Sequence, residues 1–296
     1  MKKPSMVALQ LSILLASFVT SSAHAELLVG LNSQNQIGVF DSSNAAGASF
    51  ISIAGLAAQE SLIGIDLRPS NNTLYGISNM NRLYTLDAYS GAATFAFDLS
   101  VPVISASNGY GIDFNPVADA GTGASLRLVS SAGDNYAINA NTGAVTVATS
   151  IAAGFSGVAY SNSDPTQSGA PASTALYYLN SNNDTLSVAT SAFNNPNITL
   201  MGMIGLDILK ANGLELFSNG NLFAAVNLDD GSLDSKLIQI SLADGSAQVL
   251  GTFNGTLNGL AAAPSAVPVP AALPLLASAL GLFGISRRRK NMAFTR

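Results

Sequence analysis

Short apolar runs separated by Asn, Gly and Ser recur along residues 26–264, and amphipathic helical spacing is scarce there. Runs such as LLVGLN from Leu27 and QIGVFD from Gln36 have the length of single strands, and polar turn residues bound them. The pattern of hydrophobic and polar positions therefore predicts an all-β domain.

An internal repeat organises these strands. GIDLRP from Gly64 recurs as GIDFNP from Gly111, and weaker copies follow as GVAYSNSDP from Gly157, GLDILKANG from Gly205 and GLAAAP from Gly259. Successive copies begin 47, 46, 48 and 54 residues apart. Each of the first four copies offers four short strands in roughly 46 residues, which is the size of one propeller blade.

The two ends of the repeat region complement each other. The last copy, at Gly259, has no partner strands after it, while three strands near Leu27, Gln36 and Ser49 have no repeat head. Joining them gives a fifth blade and leaves no open sheet edge in the ring. We therefore predict a five-bladed β-propeller over residues 26–264, closed by its N- and C-terminal strands. A β-sandwich and an open β array are the alternatives.

Residues 1–25 have the three parts of a secretory signal peptide. A basic start is followed by an apolar run, and Ala23 and Ala25 supply the small residues that signal peptidase requires. The apolar run is too short for a retained membrane-spanning helix. We predict cleavage after Ala25, by signal peptidase, and a mature chain that starts at Glu26.

Residues 265–296 form a second sorting segment. It joins an apolar helix over 271–286 to a basic cluster over 287–290, and the sorting-motif residues are Val267, Pro268, Val269, Pro270, Arg287, Arg288 and Arg289. A helix of 16 residues is about 24 Å long, which spans a hydrocarbon core of about 30 Å only marginally. Basic clusters stay on the cytoplasmic side, so the order predicts an exported body with a transient or retained membrane anchor.

This tail resembles a PEP-CTERM sorting signal of exported bacterial proteins, with Val269 standing where the usual pattern has Glu. The resemblance implies recognition and removal of the tail by an exosortase-type membrane protease. The repeat also resembles a secreted bacterial propeller-like domain of unknown function that often carries such tails, best over residues 62–147. That resemblance implies a fold and an extracytoplasmic location, and no activity.

The composition of the exported body excludes several classes of function. Between Glu26 and Asp244 lie all 17 acidic residues and only five basic ones, a net charge of −12 that disfavours binding to nucleic acid. There is no cysteine, and the one histidine, His24, belongs to the predicted signal peptide. The mature chain therefore cannot hold a Ser-His-Asp triad, a Cys-His pair or an ordinary zinc site.

Asp66, Asp113 and Asp207 occupy one position in three repeat heads, and Ala159 and Ala261 occupy it in the others. Because the first strand of a blade lies nearest the propeller axis, we expect these carboxylates to gather there. They could bind Ca²⁺ or act as acid and base on a sugar. The alternative, which we favour, is that each Asp accepts backbone N–H bonds in its own turn and locks neighbouring blades together.

Two hypotheses of function follow. The first is a structural or binding module at the cell surface or in the extracellular matrix, whose partner is a polysaccharide or another surface protein and which needs no cofactor unless Ca²⁺ binds. The second is a carboxylate-dependent glycan hydrolase or lyase that uses Asp66, Asp113 or Asp207. The scarcity of catalytic residue types favours the first. Arg68 and Arg127 are expected to form internal ion pairs with these aspartates, because the acidic body has few cations.

Overall fold

In a computed structural model, which describes residues 25–121, 123, 125–163 and 170–265, the chain forms five four-stranded antiparallel sheets. The first three strands belong to blade 1, and the next sixteen form blades 2 to 5 in chain order. Blade 1 begins with β1 (Leu27–Asn32), β2 (Gln36–Asp41) and β3 (Ile51–Ser52). A short 3-10 helix, Ala45–Gly47, lies between β2 and β3.

The strands of the next four blades follow one another in sequence. Blade 2 has β4 (Leu62–Arg68), β5 (Thr73–Ser78), β6 (Arg82–Leu86) and β7 (Ala93–Asp98). Blade 3 has β8 (Tyr110–Phe114), β9 (Leu126–Ser130), β10 (Asn135–Ile138) and β11 (Val145–Val147), with a short helix α1 (Pro116–Asp119) after β8. Blade 4 has β12 (Phe155–Tyr160), β13 (Leu176–Asn180), β14 (Thr185–Ala189) and β15 (Thr199–Met203). Blade 5 has β16 (Ile208–Leu216), β17 (Leu222–Leu228), β18 (Lys236–Ile240) and β19 (Ala247–Thr252).

The ring is closed by pairing between the two ends of the domain. The last strand, β20 (Leu257–Ala262), pairs antiparallel with β1, so that Leu28 faces Ala262 and Gly30 faces Leu260. β20 is thereby the innermost strand of blade 1. The predicted five-bladed propeller and its closure by both ends are confirmed, and the sandwich and the open array are excluded.

Burial decreases from the axis outward. The inner strands β8 and β12 are buried along their whole length, whereas the outer strands β7, β11 and β15 consist of exposed and half-buried residues. Each inner strand packs against its two neighbours around the axis. Apolar side chains fill the space between adjacent blades in five clusters, one for each blade pair. Burial of these faces between blades is the main stabilising term of the fold.

The fourth repeat head is shifted from its predicted place. Gly205 lies before β16 in an exposed turn with φ +77°, and the residue that corresponds to the head glycines of the other inner strands is Gly213. β16 is nine residues long and its pairing with β17 contains two register shifts, so it begins before the repeated motif does. The head of blade 5 is therefore Gly213-Leu-Glu215, and the prediction of a head at Gly205 is wrong.

Apart from Ala25 and Ser265, both sorting segments lie outside the described residues. This applies to Ala23 of the signal cleavage site, to Val267–Pro270 and to the basic cluster 287–290. Within the part of the chain that the structure describes, no helix has the length and apolar character needed to span a bilayer. The signal peptide, the apolar helix over 271–286 and the sorting motif therefore remain predictions.

Candidate functional site

Three buried carboxylates from three different blades meet near the propeller axis. Asp66 on β4, Asp113 on β8 and Glu215 on β16 each offer an oxygen atom, and these atoms all lie within 4.8 Å of one another. The three side chains are only 2%, 1% and 4% exposed, respectively. We call this group the axial cluster.

The repeat itself brings these residues together. Each is the third residue of a head that begins with glycine, and the heads lie on inner strands that surround the axis. Equivalent positions on neighbouring blades stand at similar heights along the axis. Ala159 and Ala261 fill the same position in blades 4 and 1, and both are fully buried. The sequence therefore places three acids and two small residues around one level of the ring.

Each axial carboxylate accepts a hydrogen bond from the backbone of the next blade. The Phe114 amide donates to Asp66 at 2.7 Å, the Tyr160 amide to Asp113 at 3.1 Å and the Ala262 amide to Glu215 at 2.9 Å. These bonds connect blade 2 to blade 3, blade 3 to blade 4 and blade 5 to blade 1. Asp66 and Asp113 therefore connect neighbouring blades as expected, but the donors in these bonds belong to the next blade and not, as predicted, to the turn of each Asp itself.

The two alanine positions interrupt this set of bonds. Alanine has no side-chain acceptor, so Ala159 and Ala261 cannot bond to the backbone of the next blade as the three acids do. At this level the bonds between carboxylates and backbone amides therefore connect blades 2 and 3, blades 3 and 4, and blades 5 and 1.

Burial strongly disfavours charge in this cluster. Desolvation, then the nearby Glu215 charge, hold the pKa of Asp66 well above its usual range, against the opposing effect of its backbone bonds. Desolvation and the Asp66 charge do the same to the pKa of Asp113. Desolvation raises the pKa of Glu215 to about 7. Three carboxylates this close require neutralisation, either by protons or by a bound cation.

Asp207 does not belong to the axial cluster. It is exposed in the segment before β16, where its backbone carbonyl accepts a bond from the Asp229 amide at 3.0 Å. The prediction that it joins Asp66 and Asp113 is wrong, because the fourth head begins at Gly213 and places Glu215 at this level. The sequence carried a signal for this, since Gly-Leu-Glu-Leu from Gly213 is followed by a polar turn and a strand as in the other heads.

The two buried arginines bond away from the axial cluster. Arg68 forms an ion pair with Asp119 of α1 at 2.7 Å, with both side chains buried, and also donates to Asn141. Arg127 donates to neutral amide oxygens of Asn135 and Asn194. Arg68 does form an internal ion pair, but its partner is Asp119, and the expectation that it pairs with one of the repeat-head aspartates is wrong. For Arg127 it is wrong, because its hydrogen-bond partners are uncharged.

A cavity of about 400 Å³ opens beside the cluster, at the face of the ring where the inner strands end. Glu215 lines it together with Leu216, Phe217, Ala262 and Ala263. Glu215 is therefore the member of the axial cluster nearest to a route for ions from solvent. Asp66 and Asp113 do not line this cavity.

The geometry suits cation binding better than sugar hydrolysis. The three oxygen atoms lie within 4.8 Å of one another, so small side-chain movements would let them share one Ca²⁺ ion at the usual Ca²⁺–oxygen distance of about 2.3–2.6 Å. A glycan hydrolase instead needs two carboxyl groups that flank a bound substrate with room for a sugar ring. In the axial cluster each carboxylate is buried and bonded to backbone, so the basis of the hydrolase hypothesis is missing.

Two solved structures resemble the chain at low identity. One is a chain of a nidogen/laminin complex, with 14% sequence identity, a TM-score of 0.47 and coverage of 80% of this chain and 97% of the other. The second is a calcium-binding protein, regucalcin, from Agrobacterium tumefaciens, with 14% identity, a TM-score of 0.38 and coverage of 77% and 73%. No curated protein matches the chain.

A family description matches most of the domain. The match covers residues 36–261 and so extends from β2 through the closing strand β20. All five blades contribute to it, including the three that carry the axial carboxylates. The chain belongs to the family described as a domain of unknown function (DUF4394).

Proposed function

We propose that the protein is an exported β-propeller that serves as a structural or binding module at the cell surface or in the extracellular matrix. The observation that carries this proposal is that the axial carboxylates accept hydrogen bonds from the backbone of neighbouring blades. Asp66, Asp113 and Glu215 are bonded to the backbone of neighbouring blades, and they hold the ring together. Carboxylates that are bonded to backbone amides are not available for acid–base catalysis. A rigid closed ring of this kind therefore suits a structural or binding role better than an enzymatic one.

The predicted N-terminal signal peptide and C-terminal sorting tail support the proposed location. A signal peptide over residues 1–25 would direct export, and the tail from Val267 to Lys290 would be handled by an exosortase-type protease. The net charge of −12 keeps the exported body soluble and directs its choice of partner toward neutral or cationic ligands.

Processing of the two ends tests the proposed location. We expect cell fractionation to find the protein outside the cytoplasm, and mass spectrometry of its ends to give Glu26 as the first residue. Cleavage close to Pro270 would support exosortase-type processing. A variant with Ala23 and Ala25 changed to Asp should stay unprocessed, because signal peptidase needs small residues there. A cytoplasmic protein that retains Met1 would contradict the proposal.

Binding to extracellular material tests the proposed role. The full-length chain should co-sediment with cell-surface polysaccharide or with a surface protein from the same cells. Bovine serum albumin of similar acidity serves as a control for nonspecific capture. If no polysaccharide and no surface protein retains the chain, with or without Ca²⁺, the binding-module proposal fails.

We further propose that the axial cluster can exchange its protons for a divalent cation such as Ca²⁺. The support is the convergence of three oxygen atoms within 4.8 Å and the cavity beside Glu215, which offers a route and space for water ligands. Ca²⁺ takes six to eight oxygen ligands, so three carboxylates need additional water or carbonyl oxygens. In this arrangement the ion would link blades 2, 3 and 5 and stabilise the ring.

Calcium should therefore raise the melting temperature of the protein. At a hundredfold excess over Kd we expect an increase of about 5 °C, since ligand binding to the folded state stabilises by mass action. The increase should be larger at high pH, where fewer protons compete for the carboxylates. Asp113→Asn should abolish it, and Asp207→Asn, at an exposed position outside the cluster, should not. An equal shift in both variants would disprove the site.

A further inference from the structure

We propose that a groove on blade 4 binds a neutral saccharide, an inference that rests on the proposed binding function. The groove has a volume of about 490 Å³ and is lined by residues 149–152, by the turn between β13 and β14, and by Asn195, Pro196, Ile198 and Leu200. We call it the blade 4 groove. Its volume is within the range of small-molecule sites.

The lining of the blade 4 groove is polar and uncharged. Asparagine, serine and threonine side chains supply its polar groups, and none of the described residues that line it is Asp, Glu, Lys or Arg. An uncharged lining offers no opposite charge to offset the desolvation of a phosphate, a carboxylate or an ammonium ligand, so it favours a neutral one. Amides and hydroxyls both donate and accept hydrogen bonds, which is the property shared by the hydroxyl groups of a sugar.

Several of these polar groups have unused hydrogen-bonding capacity. Asn195 and Ser150 are exposed, and their side chains form no hydrogen bond with any described residue. The Asn183 Oδ1 atom accepts the Thr185 hydroxyl at 2.7 Å, which leaves the Asn183 amide N–H₂ group free. These groups lie on three separate segments around one groove. They can therefore contact several hydroxyl groups of one ligand.

The groove also has an apolar surface for the C–H face of a sugar ring. Leu200 is 61% exposed although it lies on β15, and Ile198 and Phe155 line the same groove. A sugar presents hydroxyl groups at its edge and C–H groups on its faces. The combination of an apolar floor and polar rim in the blade 4 groove matches both.

The walls of the groove are held in place by hydrogen bonds. Asn180 donates to the Ala153 carbonyl at 3.1 Å and accepts from the Asn182 amide at 2.8 Å. The Thr149 amide donates to the Asn194 carbonyl at 2.8 Å, which joins the two loops on either side. A preorganised site loses little entropy when a ligand binds. The net charge of −12 on the exported body repels acidic polysaccharides and leaves neutral ones as the favoured class.

The test uses the full-length chain and a panel of neutral sugars. Glucose, galactose, mannose, N-acetylglucosamine and the disaccharides cellobiose and maltose are titrated at millimolar concentration, and binding is followed by saturation-transfer NMR. We expect at least one sugar to bind. Asn195→Ala should weaken it by about three- to tenfold, the loss of one or two hydrogen bonds. Asn183→Asp should act similarly, because it keeps the acceptor for Thr185 and removes the free donor.

Asn197→Ala is the matched control, since Asn197 is exposed on the same loop and does not line the groove. Its affinity for sugar should equal that of the wild type. If no sugar of the panel binds, or if Asn195→Ala and Asn183→Asp bind as well as Asn197→Ala, the inference is wrong. Should wild type and groove variants alike still co-sediment with cell-surface polysaccharide, only the location of the site is refuted. Loss of all polysaccharide and surface-protein binding in the wild type would instead refute the proposed function.

Discussion

Replacing Gly213 with alanine is expected to destabilise the propeller by about 3 kcal/mol, a typical cost for overpacking a tightly filled interface. Gly213 lies on β16 where blade 5 meets blade 1. A Cβ atom there would lie 2.5 Å from the Leu260 backbone nitrogen and 2.8 Å from the Leu260 Cβ atom. Because Leu260 is on the closing strand β20, the backbone would have to move apart where the ring is sealed. Urea denaturation followed by circular dichroism measures the loss.

Gly64 provides the matched control for this prediction. It is the corresponding head glycine of blade 2, and an added Cβ atom would contact only side-chain carbons of Ile112, the nearest at 3.3 Å. A side chain can shift where a backbone cannot, so Gly64→Ala should cost much less. Both substitutions restrict the unfolded chain equally, and that effect cancels in the comparison. Equal destabilisation by the two substitutions would show that the close approach of β16 and β20 does not make Gly213 less tolerant of a side chain than Gly64.

The closure of the ring could be predicted because each complete repeat has four strands, so the incomplete repeats at the two ends can be recognised. The N-terminal end has three strands without a head, near Leu27, and the C-terminal end has a head without partner strands, at Gly259. Together they make up one blade, and β20 pairs with β1 as this blade requires. The boundaries of β1 and β2 also agree with the runs read from the sequence. Hydrophobic runs bounded by turn residues determine local structure well, since each strand buries its own side chains.

The acidic residue in the repeat head of blade 5 was harder to identify from the sequence. Asp207 matches the residue type in the other heads, whereas Glu215 matches their position in the fold. The two register shifts between β16 and β17 move the repeated motif within the strand, and bulges leave little trace in the sequence. The hydrogen-bond partners of these acids depend on tertiary structure and could not be predicted either. The amide that donates to Asp66, for example, belongs to Phe114 of the next blade.

Contacts between loops that are far apart in the sequence could not be predicted from the sequence. The ion pair of Arg68 with Asp119 joins residues 51 positions apart, through a helix of four residues that occurs in only one of the described blades. The blade 4 groove is lined by residues of the β11–β12 connection, of the β13–β14 turn and of the β14–β15 connection. A repeat predicts what all copies share, and these features belong to single copies.

The stability of the propeller should fall as pH rises toward neutrality when no divalent cation is present. The buried Glu215 carboxyl has a pKa of about 7 in the folded protein, above its ordinary value of 4.5. The folded state therefore holds its proton over a pH range in which the unfolded state has lost it. The stabilisation is complete below the unfolded pKa and is lost as pH rises through the folded pKa. Asp66 and Asp113, whose pKa values are also raised by burial, act in the same direction.

Glu215→Gln is expected to remove much of this pH dependence. Glutamine cannot ionise, and its side-chain oxygen can still accept the bond from the Ala262 amide. In urea denaturation with EDTA, the wild type should lose about 3 kcal/mol of unfolding free energy through Glu215 between about pH 5 and about pH 8. The variant should match the wild type at the lower pH and exceed it at the higher one. Asp207→Asn, on an exposed carboxylate, should follow the wild type. If Glu215→Gln retains the full decline, the charge of the axial cluster is balanced by something other than protons on Glu215.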